Sequence, residues 1–411
     1  MGCVFLYYLD RNNTAYDWST IKEGDVTLLV PSQALAQKEP PKFPAFFNPA
    51  AKFNRDVSIL IYRHYIDHSR KNISFIDSMC GLGARGVRVG KEIPQIQRVV
   101  FNDLNMLSSQ TAKVNTIINN IYNKCDFYTS EICSFLSASS NFDNRATIID
   151  LDPFGTPAPF LDCILRAVEN DGMISITATD TAVLLGVYPR VCYRKYYGIP
   201  LRVKYALEIG TRLLLSCTAL IASRLDLYVS PVFAHSYRNY IRIYCKVSKS
   251  NHLANKISDK IGFVLHCFEC CYRELMKKGP SNINCPVCQK KMRMGGPLWI
   301  SNIFDKNLIF KILTGILESE TRNVPESKLD IQNVNSIKRF FEIASKELDH
   351  IPYYYISDEF GKLMKNSTQP LTKIVDKLNM DGYNSSPTVF SSAGFKTEAN
   401  LQEIKASLSN L

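Results

Sequence analysis

Four consecutive residues, Asp152-Pro153-Phe154-Gly155, combine an acid, a proline carbonyl, an aromatic ring and a flexible turn residue. They follow the apolar run Ala146-Thr147-Ile148-Ile149-Asp150-Leu151, which reads as a buried strand ended by a turn. In open α/β sheets, ligands bind where such a strand meets its crossover loop. The chemistry that fits is methylation of an exocyclic amine on a nucleobase. The amine's lone pair is delocalised into the ring, so the nitrogen is a poor nucleophile until it is oriented. The Asp152 carboxylate and the Pro153 carbonyl can accept its two N–H hydrogen bonds and turn the lone pair toward a methyl donor. Phe154 can stack on the base. The competing reading is a strand that ends in an ordinary Pro-Gly turn.

A second constellation lies upstream. Asp77-Ser78-Met79-Cys80-Gly81-Leu82-Gly83-Ala84-Arg85-Gly86 directly follows an expected strand and opens an expected helix. Gly81 and Gly83 let the backbone approach a ligand closely, although dinucleotide-binding folds use a similar loop. Asp103 closes the next expected strand and can take both ribose hydroxyls, of NAD or of S-adenosylmethionine. Glu131, after the third strand, can accept from an adenine amine; its place before Ile132-Cys133 equally suits a helix-start acid. The acid-Pro-aromatic turn separates the two donors, because a dehydrogenase has no use for it.

A third constellation is Cys267-x2-Cys270 and Cys285-x2-Cys288, with fourteen residues between the pairs. Paired CxxC knuckles at this spacing signal tetrahedral zinc, and four thiolates leave no open position, so the site would be structural. Cys271 could replace Cys270, and His266 is close enough to compete. The other reading is a set of reduced, buried thiols. Arg273, Lys277, Lys278, Lys290, Lys291 and Arg293 make the expected zinc ribbon basic.

The elements that must position these residues alternate. Expected strands are Ile73–Asp77, Arg98–Asp103, Cys125–Thr129, Ala146–Leu151 and Met173–Thr177, with helical stretches near 84–92, 105–121 and 157–168. That alternation means a parallel, doubly wound sheet. Asn54-Arg55-Asp56 opens an earlier helix, a longer one spans about 201–223, and two antiparallel strands, Leu227–His235 and Tyr240–Val247, follow. After Asn302 the chain reads as mostly helical, with a polar loop over 318–336.

At 411 residues the chain has room for two or three domains. The net charge of +11 suits a polyanionic partner but is diffuse, with no long Lys/Arg run. Thirteen cysteines without a secretory signal point to a reducing, intracellular setting. No apolar run approaches about 18 residues, so no membrane span is expected. Met1-Gly2-Cys3-Val4-Phe5-Leu6 lacks the hydroxyl residue of a myristoylation site, and early acids such as Asp10 argue against a transit peptide.

With these residues in place the chain resembles the tRNA (guanine(26)-N2)-dimethyltransferase family, the Trm-one enzymes, almost end to end. Phe46-Phe47-Asn48-Pro49 with Asn54-Arg55-Asp56 resembles an N-terminal motif of that family, and Asp152-Pro153-Phe154-Gly155 its catalytic motif. Tyr188-Pro189 with Cys192-Tyr193-Arg194-Lys195-Tyr196 resembles its loop after the fifth strand. Gly296-Pro297-Leu298-Trp299 and the stretch from Gly382-Tyr383 to Lys396-Thr397 resemble its later motifs. The resemblance implies that Arg55, Arg85, Asp103 and Glu131 contact S-adenosylmethionine, that Asp152 is the essential catalytic acid, and that Phe46 helps place the base. From the residues alone, Arg55 reads as a helix-start residue paired with a nearby carboxylate, Arg85 as a solvated first-turn residue, and Phe46 as core. The chain departs from the family where Leu207-Glu208 replaces a His-Glu pair and where Pro387 and Val389 replace Arg and His.

The expectation is therefore a class I S-adenosylmethionine-dependent methyltransferase. A Rossmann-like α/β sheet over residues 1–250 would precede an α+β domain over 251–411 that carries a zinc ribbon and binds RNA. Asp77, Gly81 and Gly83 would join the donor site. The substrate would be N2 of a guanine, position 26, in tRNA, and the chain would act as a monomer in nucleus or cytoplasm. The rivals are another RNA or DNA amino-methyltransferase and a non-catalytic RNA-binding or RNA-folding protein.

Overall fold

The computed structural model describes residues 16–66, 72–141, 144–237, 239–279, 283–322, 331–364 and 369–409. The Met1–Leu6 stretch and Asp10 lie outside them. The chain divides into two compact units.

The first unit comprises Met1–Asp152, Arg166–Ile174 and Lys311–Lys338. It opens with an antiparallel hairpin, β1 (Trp18–Glu23) and β2 (Val26–Pro31), followed by the short helix α1 (Ser32–Ala36) and by α2 (Lys52–Tyr65). The alternating part follows as β3 (Ser74–Asp77), α3 (Ala84–Glu92), β4 (Arg98–Asn102), α4 (Met106–Ile118), β5 (Cys125–Tyr128), α5 (Ile132–Ala138) and β6 (Ala146–Leu151). Helix α6 (Leu161–Ala167) leads into β7 (Val168–Ala178), whose first half closes the unit's sheet in the order β5-β4-β3-β6-β7. Strand β3 pairs in parallel with β4 on one side and β6 on the other. The winding thus reverses at β3, and the crevice beyond the ends of β3 and β6 is the topological switch point where such folds bind ligands. Register sets Asp77 beside Asp150 across that crevice.

Side-chain amides fasten the hairpin. Asn115 and Asn119, one turn apart on α4, accept from the N–H groups of Leu29 and Thr27 at 2.7 and 2.9 Å and donate to the carbonyls of the same two residues. They occupy backbone groups of β2 that no strand pairs. Glu23, at the end of β1, enters a buried ion network with Arg55, Arg88, Asp56 and Glu92.

The second unit comprises Pro153–Leu165, Ser175–Phe310 and Arg339–Leu411. It holds the second half of β7, then α7 (Thr181–Leu184), α8 (Pro189–Tyr196), α9 (Ala206–Ser223) and the antiparallel pair β8 (Leu227–Tyr237) and β9 (Tyr240–Lys249), in sheet order β7-β9-β8. A three-stranded sheet, β10 (Ile261–His266), β11 (Arg273–Met276) and β12 (Arg293–Trp299), carries the cysteine pairs in the order β11-β10-β12.

Helix α9 has the length and mean hydropathy, 1.4, of a membrane span, but 78% of it is buried inside the protein. It also carries Glu208 and Arg212, both buried. Arg212 pairs with Glu208 and donates to the carbonyls of Trp299, Ser301, Asp349 and Ile351. Lys396 pairs with Glu208 and Glu347. Buried cations need such full sets of acceptors. Glu208 and Lys396, which stand in two of the family-like motifs, therefore bind α9 to the carboxy-terminal segment.

One expectation is corrected. The stretch 318–336 is not one loop: a helix reaches Arg322 and another begins at Ile331, with 323–330 outside the described residues. The segment after Asn302 also holds a small sheet in the order β13-β15-β14, formed by β13 (Tyr355–Ile356), β14 (Ser385–Thr388) and β15 (Ser391–Thr397). Ser-Ser-Pro-Thr and Ser-Ser-Ala-Gly lack the alternation that marks a strand.

Candidate active site

The glycine loop turns sharply at the end of β3. Gly81 and Gly83 have φ of +53° and +81°, a conformation that only glycine adopts without strain. A Cβ on Gly81 would lie 3.0 Å from the Phe46 carbonyl oxygen, so the approach itself requires glycine. Asp77 is buried, and its Oδ2 accepts from the Gly86 N–H at 2.9 Å, fixing the first turn of α3. Asp103 accepts from Gly81 N and Asn105 N, each at 2.8 Å. Burial pushes the Asp103 carboxyl up while these two N–H groups pull it down. Each of its oxygens keeps a further acceptor position, which is what a ribose diol needs.

Arg85 connects the two ends of the crevice. It is buried, not solvated, with Nε 3.2 Å from Asp150 Oδ1 and an Nη 2.8 Å from Asp152 Oδ2. The other Nη donates to Asn54 Oδ1 and Ser58 Oγ at 3.0 and 2.7 Å, and Tyr62 donates to Asp150 Oδ2 at 2.5 Å. Arg85 thus bridges two carboxylates, Asp150 and Asp152, and Asp77 lies beside Asp150 in the strand register. Burial and then the neighbouring Asp150 charge raise Asp77 to about 7, against the pull of Arg85 and the Gly86 N–H. The Asp152 side chain keeps 34% of its surface exposed, so it can meet a substrate. Pro153 is buried and Phe154 is 59% exposed, a large ring left at the surface beside the acid.

The structure gathers Asp77, Gly81, Gly83, Arg85, Asp103 and Asp152 around the switch point, with the half-buried Phe46 against Gly81. Arg55 sits elsewhere: its guanidinium grips both oxygens of Glu23 at 2.6 Å and donates to the Asn48 carbonyl. The carboxylate pairing read from the residues is what it makes. Glu131 is exposed and caps α5, accepting from Cys133 N and Ser134 N at 3.0 and 2.8 Å. Those N–H groups hold its pKa down. Asp150, Asn54, Ser58 and Tyr62 escaped the sequence reading. An acid inside a buried strand and three hydrogen-bonding residues at i, i+4 and i+8 of one helix were the available signals.

The two cysteine knuckles are built alike. Cys267 N donates to the Tyr272 carbonyl and Cys285 N to the Lys290 carbonyl. Cys271 and Gln289, each one residue past a pair, have φ of +63° and +59°. The Sγ atoms of Cys267, Cys270, Cys285 and Cys288 all lie within 4.8 Å of one another. Cys271 and His266 are not in that group. Four convergent sulfurs from paired knuckles fit a tetrahedral zinc. Cys192 and Cys217 are buried.

Residues 24–409 match the family described as N2,N2-dimethylguanosine tRNA methyltransferase. The chain belongs to this family. A tRNA (guanine(26)-N(2))-dimethyltransferase of Methanothermobacter thermautotrophicus is 32% identical over 393 residues, covering 95% of this chain and 99% of the relative. A tRNA (guanine(26)-N(2)/guanine(27)-N(2))-dimethyltransferase of Aquifex aeolicus is 27% identical, covering 95% and 96%. The fold is that of Trm1 from Pyrococcus horikoshii, solved with S-adenosyl-L-methionine, with a TM-score of 0.80 at 24% identity over 95% of this chain and 99% of the other. The family match takes in every motif from Phe46 to Lys396, including the switch-point residues and both cysteine pairs.

Proposed function

We propose that this protein transfers methyl groups from S-adenosylmethionine to the exocyclic N2 of guanine 26 in tRNA, giving N2-methyl- and N2,N2-dimethylguanosine. The observation that carries the donor assignment is the charge imbalance at the switch point. Two carboxylates on one guanidinium, with Asp77 beside Asp150 and Asp103 at the glycine loop, make an acidic setting that favours a cationic ligand and disfavours a pyrophosphate. The donor, when bound, supplies an electrophilic methyl group on a sulfonium. Asp103 takes its ribose hydroxyls, Gly81 and Gly83 leave room for it, and Asp77, Arg85 and Glu131 complete the site. Arg55 contributes by holding the Asn48 carbonyl behind Phe46-Phe47.

The guanine amine is oriented by acceptance of its N–H groups at the Asp152 carboxylate and the Pro153 carbonyl. Phe154 stacks on the base, and Phe46 helps to place it. Asp152 receives the proton that the amine sheds as the N–C bond forms. No strong base is required, and alignment supplies most of the rate. Treating an unmodified tRNA pool with the protein and donor, then resolving the nucleosides by mass spectrometry, tests the reading. Methylated guanosine at N2 is the expected product; methylated adenosine or no product would overturn it.

The four cysteines would hold one structural zinc in a carboxy-terminal, RNA-binding part beginning near residue 251. Elemental analysis of reduced, freshly purified protein should give one zinc per chain. Cys285→Ser should lose it and lower the melting temperature, because structural metal binding is coupled to folding. Metal-free wild type of unchanged stability would contradict the assignment.

A further inference from the structure

Beneath helix α8, a chain of hydrogen bonds ends on the turn that carries Pro153 and Phe154. Thr156 donates from Oγ1 to the Tyr196 hydroxyl oxygen at 2.7 Å. Tyr196 in turn donates to Asp180 Oδ1 at 2.7 Å, and Lys195 reaches Asp180 Oδ2 at 3.5 Å. A second clasp lies beside the first: Gly155 N donates to Thr179 Oγ1 at 2.6 Å, and Thr179 N donates to the Gly155 carbonyl at 2.8 Å.

These bonds matter because no side chain packs against the turn at Gly155. Gly155 has a φ of +82°, and a Cβ there would meet nothing within 4 Å. Tyr196 is buried, at 1% exposure. Burial and then the Asp180 charge keep its phenol protonated well above the usual range. It therefore donates one way, toward Asp180, and leaves its oxygen to accept from Thr156.

The two faces of α8 differ. Cys192 and Tyr196, one turn apart, point inward. Arg190, Tyr193, Arg194 and Tyr197 are exposed, the two tyrosines at 61% and 58%. Cations interleaved with exposed aromatic rings suit a polynucleotide, because rings stack on bases while the charges meet phosphates. The same helix thus presents one face to a polyanion and fixes the turn with the other.

We propose that Tyr196 is a positioning residue for amine methylation. It joins Thr156 to Asp180, so that RNA seated on the outer face of α8 sets the placement of the Pro153 carbonyl and Phe154. The inference rests on the function proposed above. Loss of the tyrosine hydroxyl removes one of the two clasps and loosens the turn at Thr156, and displacement of an acceptor by about 1 Å can cost on the order of a hundredfold in rate.

The test uses the full chain, unmodified tRNA and saturating donor. Tyr196→Phe should lower the single-turnover rate about tenfold or more while leaving the KM for tRNA and the donor Kd within about twofold, since only alignment is lost. Thr156→Val should cost as much, Thr156→Ser should retain the rate, and the double variant Tyr196→Phe/Thr156→Val should be no worse than either alone. A normal rate in Tyr196→Phe, or additive losses in the double variant, would overturn the proposal. If Tyr196→Phe does not fold, the contrast between Thr156→Val and Thr156→Ser decides the matter alone: equal rates would overturn it. Wild-type protein that leaves tRNA guanine unmethylated would instead sink the functional reading itself.

Discussion

Two clusters of buried charge share helix α3 and differ in balance. Around Arg88, the acids Glu23, Asp56 and Glu92 meet Arg88, Arg55 and Lys52. Around Arg85, three residues earlier on the helix, Asp150 and Asp152 meet one guanidinium and Asp77 lies beside Asp150. The difference acts on the acids in opposite directions. Glu23 feels strong desolvation, yet the Arg55 and Arg88 guanidinia hold it down at about 2. Asp77 is equally buried, and with too few cations it rises to about 7. Residue type is the same in both places; the count of partners separates a closed structural network from a site with charge left over for a ligand.

The comparison can be broken most forcefully at Arg88. Arg88→Met leaves three buried carboxylates with too few cations, and removing one partner of a buried ion network costs about 3–5 kcal/mol. Denaturant unfolding should show that loss, whereas a stability within about 1 kcal/mol of wild type would mean that the network contributes little. Smaller, and of another kind, is the effect at Asp103. Asp103→Ala should weaken S-adenosylmethionine binding by about 1.5–3 kcal/mol through loss of a charged acceptor. Calorimetry that returned an unchanged dissociation constant would reject the ribose contact.

The subtlest test is the pH slope. The folded pKa of Asp77 is raised above its ordinary 3.8. Its contribution to stability is therefore full below about pH 4 and is lost as pH rises through about 7. Asp77→Asn, which keeps an acceptor for the Gly86 N–H, escapes that loss. Its melting temperature relative to wild type should climb between about pH 5 and pH 8, by roughly 2–4 °C per kcal/mol recovered. Glu23 has the opposite sign: its stabilisation is present above its ordinary 4.5 and lost as pH falls through about 2. A melting-temperature difference for Asp77→Asn that stays flat across the range would show that Asp77 is not strained.

Much of this was legible in the chain itself. The strand at Ala146–Leu151 has the expected ends because a short, largely apolar run meets Asp-Pro. Asp103 could be placed because it closes an apolar strand, and the four converging cysteines because their spacing is local. Long-range partners were not legible. Nothing in the spacing of Glu23 and Arg55, 32 residues apart, marks them as a pair. Arg85 read from its neighbours looks solvated, and only the pairing of β3 with β6 brings Asp150 and Asp152 to it. The small sheet after Tyr355 escaped because its strands are too short and polar to show a period.

The central claim is that Asp152 orients the amine that is methylated. The direct measurement is the single-turnover rate of methyl transfer to unmodified tRNA by Asp152→Ala, made beside donor and tRNA binding by the same protein. Asp152 stands just past β6, whose backbone the sheet fixes, so truncation should leave the fold intact. At saturating donor the rate should fall on the order of a hundredfold or more, with tRNA affinity within about threefold of wild type. Near-normal turnover in Asp152→Ala would remove the reason for placing the chemistry at this turn.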